Sequence, residues 1–363
     1  MIQSAQNLRR VRPRAARAAG FIRRARLAIV FAGALCAAPP GFSAPEPAPV
    51  RVLTFNVLGS YLGADKAGGE ETARVKRWEK RRPLVIEVMR EHPDGSGPYD
   101  FIGTQETGID TRDASRDQTR VLAKAMAGHG SLFAPCTGPR LRRYSLSNMI
   151  FWRKDRWEID PGDHGTFWLS GTPDEPGSDD WSDEGRPESR RCVTHGLFHE
   201  TGPAGRRTGR RVYFYNTHLF VHSQAARDKA AVLIMERIAN RRDRTAAVIL
   251  TGDMNSRQWS APVLYFQGRE VSIAGKKRAA PLALRDTYAA IYPGQAHVTV
   301  ASQKEVEPPL VGTKIDYIFA SDGFKTTGAR RIETHRGDLW PSDHYPFEAV
   351  LEFAGEKFAG GGN

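Results

Sequence analysis

The chain has 363 residues, 40% hydrophobic and 26% charged, which excludes a disordered chain, a collagen-like repeat and a polytopic membrane protein. Three cysteines exclude a disulfide-dense scaffold and a cysteine-rich zinc module. The formal charge of +12 is concentrated at the start. Residues 1–44 hold eight arginines (Arg9, Arg10, Arg12, Arg14, Arg17, Arg23, Arg24 and Arg26) and no acid, leaving 45 basic against 41 acidic side chains in the remainder. That small excess gives little support for a nucleic-acid or membrane partner.

In chain order, the first element is the apolar run LAIVFAGALCAA at 27–38. It follows the arginines and precedes small residues and prolines, the order of a secretory signal peptide. The run is shorter than the roughly 20 residues that span a bilayer. A signal peptide over 1–44 is therefore expected, with cleavage beside Ser43 or Ala44 and export to the periplasm or the exterior. Residues 45–50 read as a Pro-rich linker, 51–354 as one folded domain and 355–363 as a flexible tail.

Within the domain, eight segments rich in β-branched and aromatic residues predict strands at 51–58, 100–106, 149–153, 193–200, 211–219, 246–255, 314–321 and 346–353. Helical spacing predicts helices over 74–91, interrupted at Pro83, over 119–128, and over 223–240 with Ser223 as N-cap. Residues 200–207 read as a hairpin loop and 171–190 as an acidic surface loop. Export would put Cys136 and Cys192 in an oxidising space, where they can pair or stand as separate thiols.

Polar residues collect where the apolar strands end. These are Asn56, Gln105, Glu106, Asn216, His218, Asp253 and Asn255, with Asp316, Asp343 and His344 around the later strands. Such residues add nothing to a core, and strand ends in layered α/β proteins open onto the ligand crevice. Carboxylate and amide oxygens suit a hard cation, Mg²⁺ or Mn²⁺. The spacing of zinc sites is absent.

FNVL at 55–58, TQE at 104–106, NTHL at 216–219, TGDMN at 251–255, KIDYIF at 314–319 and SDHYP at 342–346 follow one another in the order of the endonuclease/exonuclease/phosphatase superfamily. The chain resembles that superfamily over about 300 residues. The resemblance implies an α/β fold, the deoxyribonuclease I-like four-layer α/β/β/α sandwich. It also implies a metal-dependent phosphoester hydrolase, with a phosphodiester as the expected substrate. Carried over, Glu106 would bind Mg²⁺ or Mn²⁺ with Asn56 and Asp343. Asp253 would orient or deprotonate the attacking water, and Asn255 would hold a phosphate oxygen. His344 would contact the phosphate, with Asp316 fixing its ring, and His218 would assist the phosphate or the leaving group. Asn148, Arg191 and Asn216 are expected to bind substrate.

FWLSGTP at 167–173 and RRCVTH at 190–195 resemble a compact bacterial subgroup that usually reads FWLSETP and then R-x-x-TW. Gly171 and His195 depart from that pattern, which bears on the pocket wall. His218 stands where abasic-site repair enzymes carry Tyr, which points away from that branch. Trp168, Trp181, Trp259 and Trp340 are candidates to line a cleft, Trp168 being the better core residue. The expected partner is a phosphoester in a nucleic acid, a lipid headgroup or a small molecule, bound by a monomer. An extracellular nuclease and a sphingomyelinase-like phospholipase are alternatives within the fold. A non-catalytic phospholigand-binding module is the alternative outside enzymology.

Overall fold

A computed structural model describes residues 48–355, apart from 67, 73–75, 93, 140–142, 182–189, 203–204, 296–297 and 300–312. The signal peptide expected over 1–44 and residues 356–363 of the expected tail lie outside the described residues. The chain runs β1 (Val50–Asn56), α1 (Trp78–Arg90), β2 (Phe101–Asp110), α2 (Gln118–Ala125), β3 (His129–Leu132), β4 (Tyr144–Arg153), β5 (Trp157–Trp168), β6 (Cys192–Thr201) and β7 (Arg207–His218). It continues with α3 (Gln224–Ala239), β8 (Ala247–Asp253), α4 (Ala261–Phe266), β9 (Val271–Ile273), β10 (Lys276–Arg278), β11 (Arg285–Asp286), α5 (Thr287–Ile291), β12 (Asp316–Ala320), β13 (Phe324–Arg331) and β14 (Phe347–Phe353).

Among the described residues the strands form two six-stranded sheets and a small β9–β10 hairpin. One sheet has the order β13-β14-β1-β2-β4-β3 and the other β11-β12-β8-β7-β6-β5. The eight strands expected from the sequence are the eight interior strands. Interior strands are apolar on both faces, so their composition stands out. The four edges were not expected. β3 and β11 are short. β5 carries Pro161 and a register shift between Ile159 and His164, and β13 shifts between Thr326 and Gly328. Edge strands tolerate Pro, bulges and polar faces because one side of their ladder is open.

Alternation along each strand builds the layers. On β1, Val50 and Val52 face the second sheet, where they meet Phe198, Val212, Phe214, Ile249 and Ile318. Leu53 and Phe55 face the other way, onto Trp78, Val85 and Met89 of α1 and Leu122 of α2. On the second sheet, Tyr213, Tyr215, Val248 and Leu250 pack under Ala230, Ile234 and Ile238 of α3 and Val263 and Phe266 of α4. The result is helix, sheet, sheet, helix. α3 begins where the sequence placed it, with Ser223 Oγ accepting from the Ala226 amide at 3.2 Å. α1 runs through Pro83 without a break, against the expected interruption.

Away from the C-terminal ends of β1 and β7, a buried ion network braces the two sheets. Arg156 donates to Asp100 of the first sheet's end at 3.0 Å and to Glu200 of β6 at 2.8–3.0 Å. Cys136 and Cys192 form a disulfide, capped by Trp168, whose indole donates to the Cys136 carbonyl at 2.7 Å. Among the described residues no helix is long and apolar enough to cross a membrane.

Candidate active site

The alternation that builds the core also aims the polar strand ends. Asn56 shares the inter-sheet face of β1 with Val50 and Val52. His218 shares that of β7 with Val212 and Phe214, Asp253 that of β8 with Ala247 and Ile249, and Asp316 that of β12 with Ile318 and Ala320. Register then places them side by side. His218 pairs with Asp253 across the parallel β7–β8 ladder, and Asp253 pairs with Asp316 across β8–β12. Three strands thus present one transverse row at the end where the strands stop.

Glu106 needs a different device. By simple alternation it would point opposite to Gln105, towards α1 and α2. The register of β2 against β4 shifts between Thr104 and Thr107, and Glu106 has φ of 53°. This bulge re-aims the carboxylate, so that Asn56 Nδ2 donates to Glu106 Oε1 at 3.2 Å. Leu58 at φ 56° and Asn255 at φ 43° share the left-handed region beside the same site. Such conformations are costly for non-glycine residues and concentrate where a site imposes them.

Asn56 is the hub. Its Nδ2 also donates to Asp253 Oδ2 at 3.1 Å, while its Oδ1 accepts from the Leu58 amide at 3.1 Å. Asp253 Oδ1 accepts from the Asn255 amide at 2.9 Å. Burial first, then the charge of Asp316, pushes Asp253 up to about 7. A carboxyl in that range can take or give a proton at neutral pH. His344 Nδ1 lies 2.9 Å from Asp316 Oδ2, and its Nε2 lies 3.7 Å from Asp253 Oδ2. Burial would lower His344, but the charge and hydrogen bond of Asp316, with Asp253 and Asp343, hold it well above the usual histidine range. His218 goes the other way. Burial, then the positive charges of Arg191 and His344, hold it well below that range, so it is neutral. Asn255 Nδ2 donates to the Leu219 carbonyl at 3.0 Å and reaches His218 Nε2 at 2.9 Å. The carbonyl fixes the amide orientation, so Nε2 accepts and the His218 proton sits on Nδ1, 3.9 Å from Glu106 Oε1.

Two donor sets suit a cation. Glu106 Oε2 is buried without a hydrogen-bond partner. Burial and the charge of Asp343 raise the Glu106 pKa, as for a carboxylate placed beside another to share a positive ion. Asn56, Glu106 and Asp343, the expected metal residues, therefore fit a hard cation by donor chemistry. Asp253, Asp316 and His344 also bring one donor atom each within 4.8 Å of one another, and Asp316 Oδ1 is buried without a partner. In that second set His344 Nδ1 already pairs with Asp316 Oδ2 at 2.9 Å.

Three expected substrate residues are placed differently from one another. Arg191 is close to the row, its Nε donating to the Leu219 carbonyl at 3.2 Å and its charge acting on His218. Asn216 is fully buried between the sheets. Its Nδ2 donates to the carbonyls of Thr104 at 2.9 Å and Met149 at 2.7 Å, and its Oδ1 accepts from Gln105 at 2.6 Å and Thr251 at 3.0 Å. Every hydrogen-bonding position of the amide is used inside the protein, which makes Asn216 an inter-sheet bridge. Asn148 is likewise buried, with its Nδ2 donating to the Cys192 carbonyl at 2.7 Å, and it anchors the disulfide strand. Asn255, expected to hold a phosphate oxygen through its amide, spends both amide hydrogens on Leu219 and His218. Of the four tryptophans, Trp168 and Trp340 are core residues, and Trp259 stands 64% exposed in the loop just beyond Asn255.

The endonuclease/exonuclease/phosphatase family model matches residues 53–344, a span that begins within β1, takes in the bulge at Glu106 and ends at His344. The chain belongs to this family. No curated protein matches it. Among solved structures, a family protein from Bacteroides thetaiotaomicron is similar at 23% identity and TM-score 0.62, covering 86% of this chain and all of that one. A mannosyl-6-phosphatase from Bacteroides thetaiotaomicron aligns at 23% identity and TM-score 0.59 over 84% of this chain and all of that one. ANGEL2, a 2′,3′-cyclic phosphatase solved with adenosine-2′,3′-vanadate, aligns at 16% identity and TM-score 0.58 over 84% of this chain and 95% of that one. The two-sheet sandwich is the fold they share.

The two positions that depart from the subgroup pattern, Gly171 and His195, have distinct surroundings. Gly171 donates its amide to Asp180 Oδ1 at 2.7 Å, and a Cβ there would lie 2.5 Å from Asp180 Oδ2. Asp180 already places a carboxylate at that spot, so a side chain at 171 would require Asp180 to move, and an acid there would meet its like charge. His195 shares its strand face with Val193 and Leu197, under α3, and stacks on Tyr215 with ring centroids 5.5 Å apart. It lines a separate cavity of about 370 Å³ with Phe167, Tyr213 and Arg237, so it is no wall of the catalytic row. One residue escaped sequence reading altogether. Arg81 of α1 is completely buried beneath the site.

Proposed function

We propose that this protein is an exported, divalent-cation-dependent phosphoester hydrolase, and that a phosphodiester is its preferred class. The row His218–Asp253–Asp316 with His344 against it carries the reading. It puts a carboxyl poised near neutral pH beside a protonated imidazole, with an acid-rich donor set at Glu106 alongside. Family membership and phosphatases among the structural neighbours support the reaction class. The arginine-rich leader supports export, and the Cys136–Cys192 disulfide agrees with an oxidising compartment.

Hydrolysis needs a water aimed at phosphorus, a proton acceptor for it and positive charge for the developing oxyanion. Asp253 would accept the proton from the water, its Oδ1 held by the Asn255 amide and its Oδ2 by Asn56. His344, kept protonated by Asp316, would donate to a phosphoryl oxygen. Arg191, whose charge acts on His218 and Glu106, would add positive charge. Glu106, with Asn56 and Asp343, would hold Mg²⁺ or Mn²⁺, which supplies charge neutralisation at the phosphoryl group. Neutral His218 would keep its Nδ1 proton beside Glu106 and its Nε2 locked to Asn255.

The test uses the mature protein on bis-para-nitrophenyl phosphate and para-nitrophenyl phosphate, with Mg²⁺, with Mn²⁺ and with chelator. The expected result is metal-dependent turnover, faster on the diester, that falls by about 100-fold or more in His344→Ala. Turnover that survives both chelator and His344→Ala would refute the assignment. Faster turnover of the monoester would reassign the ester class and leave the machinery in place.

A further inference from the structure

Arg81 is a completely buried charge that the proposed chemistry does not use. Burial lowers its pKa to about 10, with Asp65, Asp343 and Glu106 opposing, so it is charged at neutral pH. Its only carboxylate within ion-pair range among the described residues, Asp65, is 3.9 Å away. Its hydrogen bonds go to backbone carbonyls instead. Nη1 donates to Val57 and, at 3.3 Å, to Pro341; Nη2 donates to Leu58 at 2.5 Å; Nε donates to Lys76 at 3.2 Å.

Those carbonyls belong to two separate pieces of the site. Val57 and Leu58 follow Asn56 directly, and Leu58 holds the Asn56 side chain through its amide. Pro341 starts the segment that carries Asp343 and His344. A second tie joins the same two pieces, since Ser342 Oγ donates to the Asn56 carbonyl at 2.8 Å. A planar guanidinium can fork to two chain segments at once, whereas an ammonium offers one point of attachment. Burying a charge without a close carboxylate costs stability, so packing alone gives no reason for an arginine here.

Resting on the hydrolase reading, we infer that Arg81 is a positioning residue whose guanidinium clamps the Asn56 segment to the Asp343–His344 segment, fixing the spacing of the metal-facing and phosphate-facing groups. Partners one step removed from metal ligands typically change affinity or activity by about 10- to 100-fold when lost.

The experiment compares wild type, Arg81→Lys, Arg81→Met and, as a packing control on the same helix, Met89→Ala. Melting temperature is read with and without Mn²⁺, which requires no turnover, and kcat and KM are read on bis-para-nitrophenyl phosphate. Both Arg81 variants are expected to need about 10-fold more Mn²⁺ for half the thermal shift and to lose about 10-fold or more in kcat, with KM little changed. Met89→Ala is expected to melt lower yet keep the wild-type Mn²⁺ midpoint and kcat. If Arg81→Lys melts lower but keeps both, or if Met89→Ala loses both to the same degree, the clamp is refuted and Arg81 is structural. If wild type itself shows neither Mn²⁺ shift nor turnover, the hydrolase reading falls and takes the clamp with it.

Discussion

Replacing Asn216 by alanine separates two roles for this residue, because an inter-sheet bridge and a substrate contact predict different losses. The side chain makes four hydrogen bonds and is completely buried. Its partners are unequal. Gln105 Nε2 keeps Thr54 and the Gly103 carbonyl as acceptors, and Thr251 Oγ1 keeps the Tyr215 carbonyl. The carbonyls of Thr104 and Met149 lose their amide donor in the buried space between the sheets. Taking about 1 kcal/mol for each bond, with the two carbonyl bonds as the floor, gives a loss of about 2–4 kcal/mol. Urea unfolding of wild type and Asn216→Ala, followed by tryptophan fluorescence, measures it as a lower midpoint with unchanged slope. KM on a diester should change less than twofold, roughly the scatter of distant sites. A loss below about 1 kcal/mol together with a raised KM would refute the bridge and restore Asn216 as a substrate contact.

Glu106→Gln removes a partly buried charge, its pKa raised by burial and then by Asp343, while keeping the shape. In chelator the variant should therefore melt above wild type at pH 7, and in Mn²⁺ it should lose most of its thermal shift. His195 is pushed down to about 4 by burial, outweighing the opposing pull of Asp163. A depressed histidine contributes stability that is present above the unfolded value near 6.5 and lost as pH falls through about 4. Unfolding measured across that window should show a flatter loss in His195→Phe than in wild type. The Cys136–Cys192 disulfide closes a loop with a sequence separation of 56, for which chain entropy predicts about 4 kcal/mol. Reduction, or Cys136→Ser with Cys192→Ser, should lower the urea midpoint accordingly, and a midpoint unchanged by reduction would contradict the pairing.

Sequence by itself determined the interior of this protein. The eight inner strands are apolar on both faces, so composition alone marks them, and polar groups at their ends stand out as residues with no place in a core. Asn56, Glu106, His218, Asp253, Asp316 and His344 were legible for that reason, and their order along the chain carried the family resemblance. The edge strands were not legible, because a ladder with one open side accepts the Pro, Gly and charges that otherwise signal a turn.

Tertiary structure decided what alternation and composition cannot express. Asn216 has the same strand-end signature as His218, two residues later on the same face of β7. Depth alone separates them: Asn216 lies where Gly103 lets the sheets approach, since a Cβ there would meet Asn216 Oδ1 at 2.7 Å. Glu106 reaches the site only through a bulge, a register event between two strands that no single strand records. The disulfide depended on β6 bringing Cys192 to the loop of Cys136. Arg81 is one more arginine on a helix that begins WEKRRP, and only packing shows which of those charges is sealed beneath the site. Residue type fixes what chemistry a side chain can do. Its partners and its distance from water decide which of several identical residues does it.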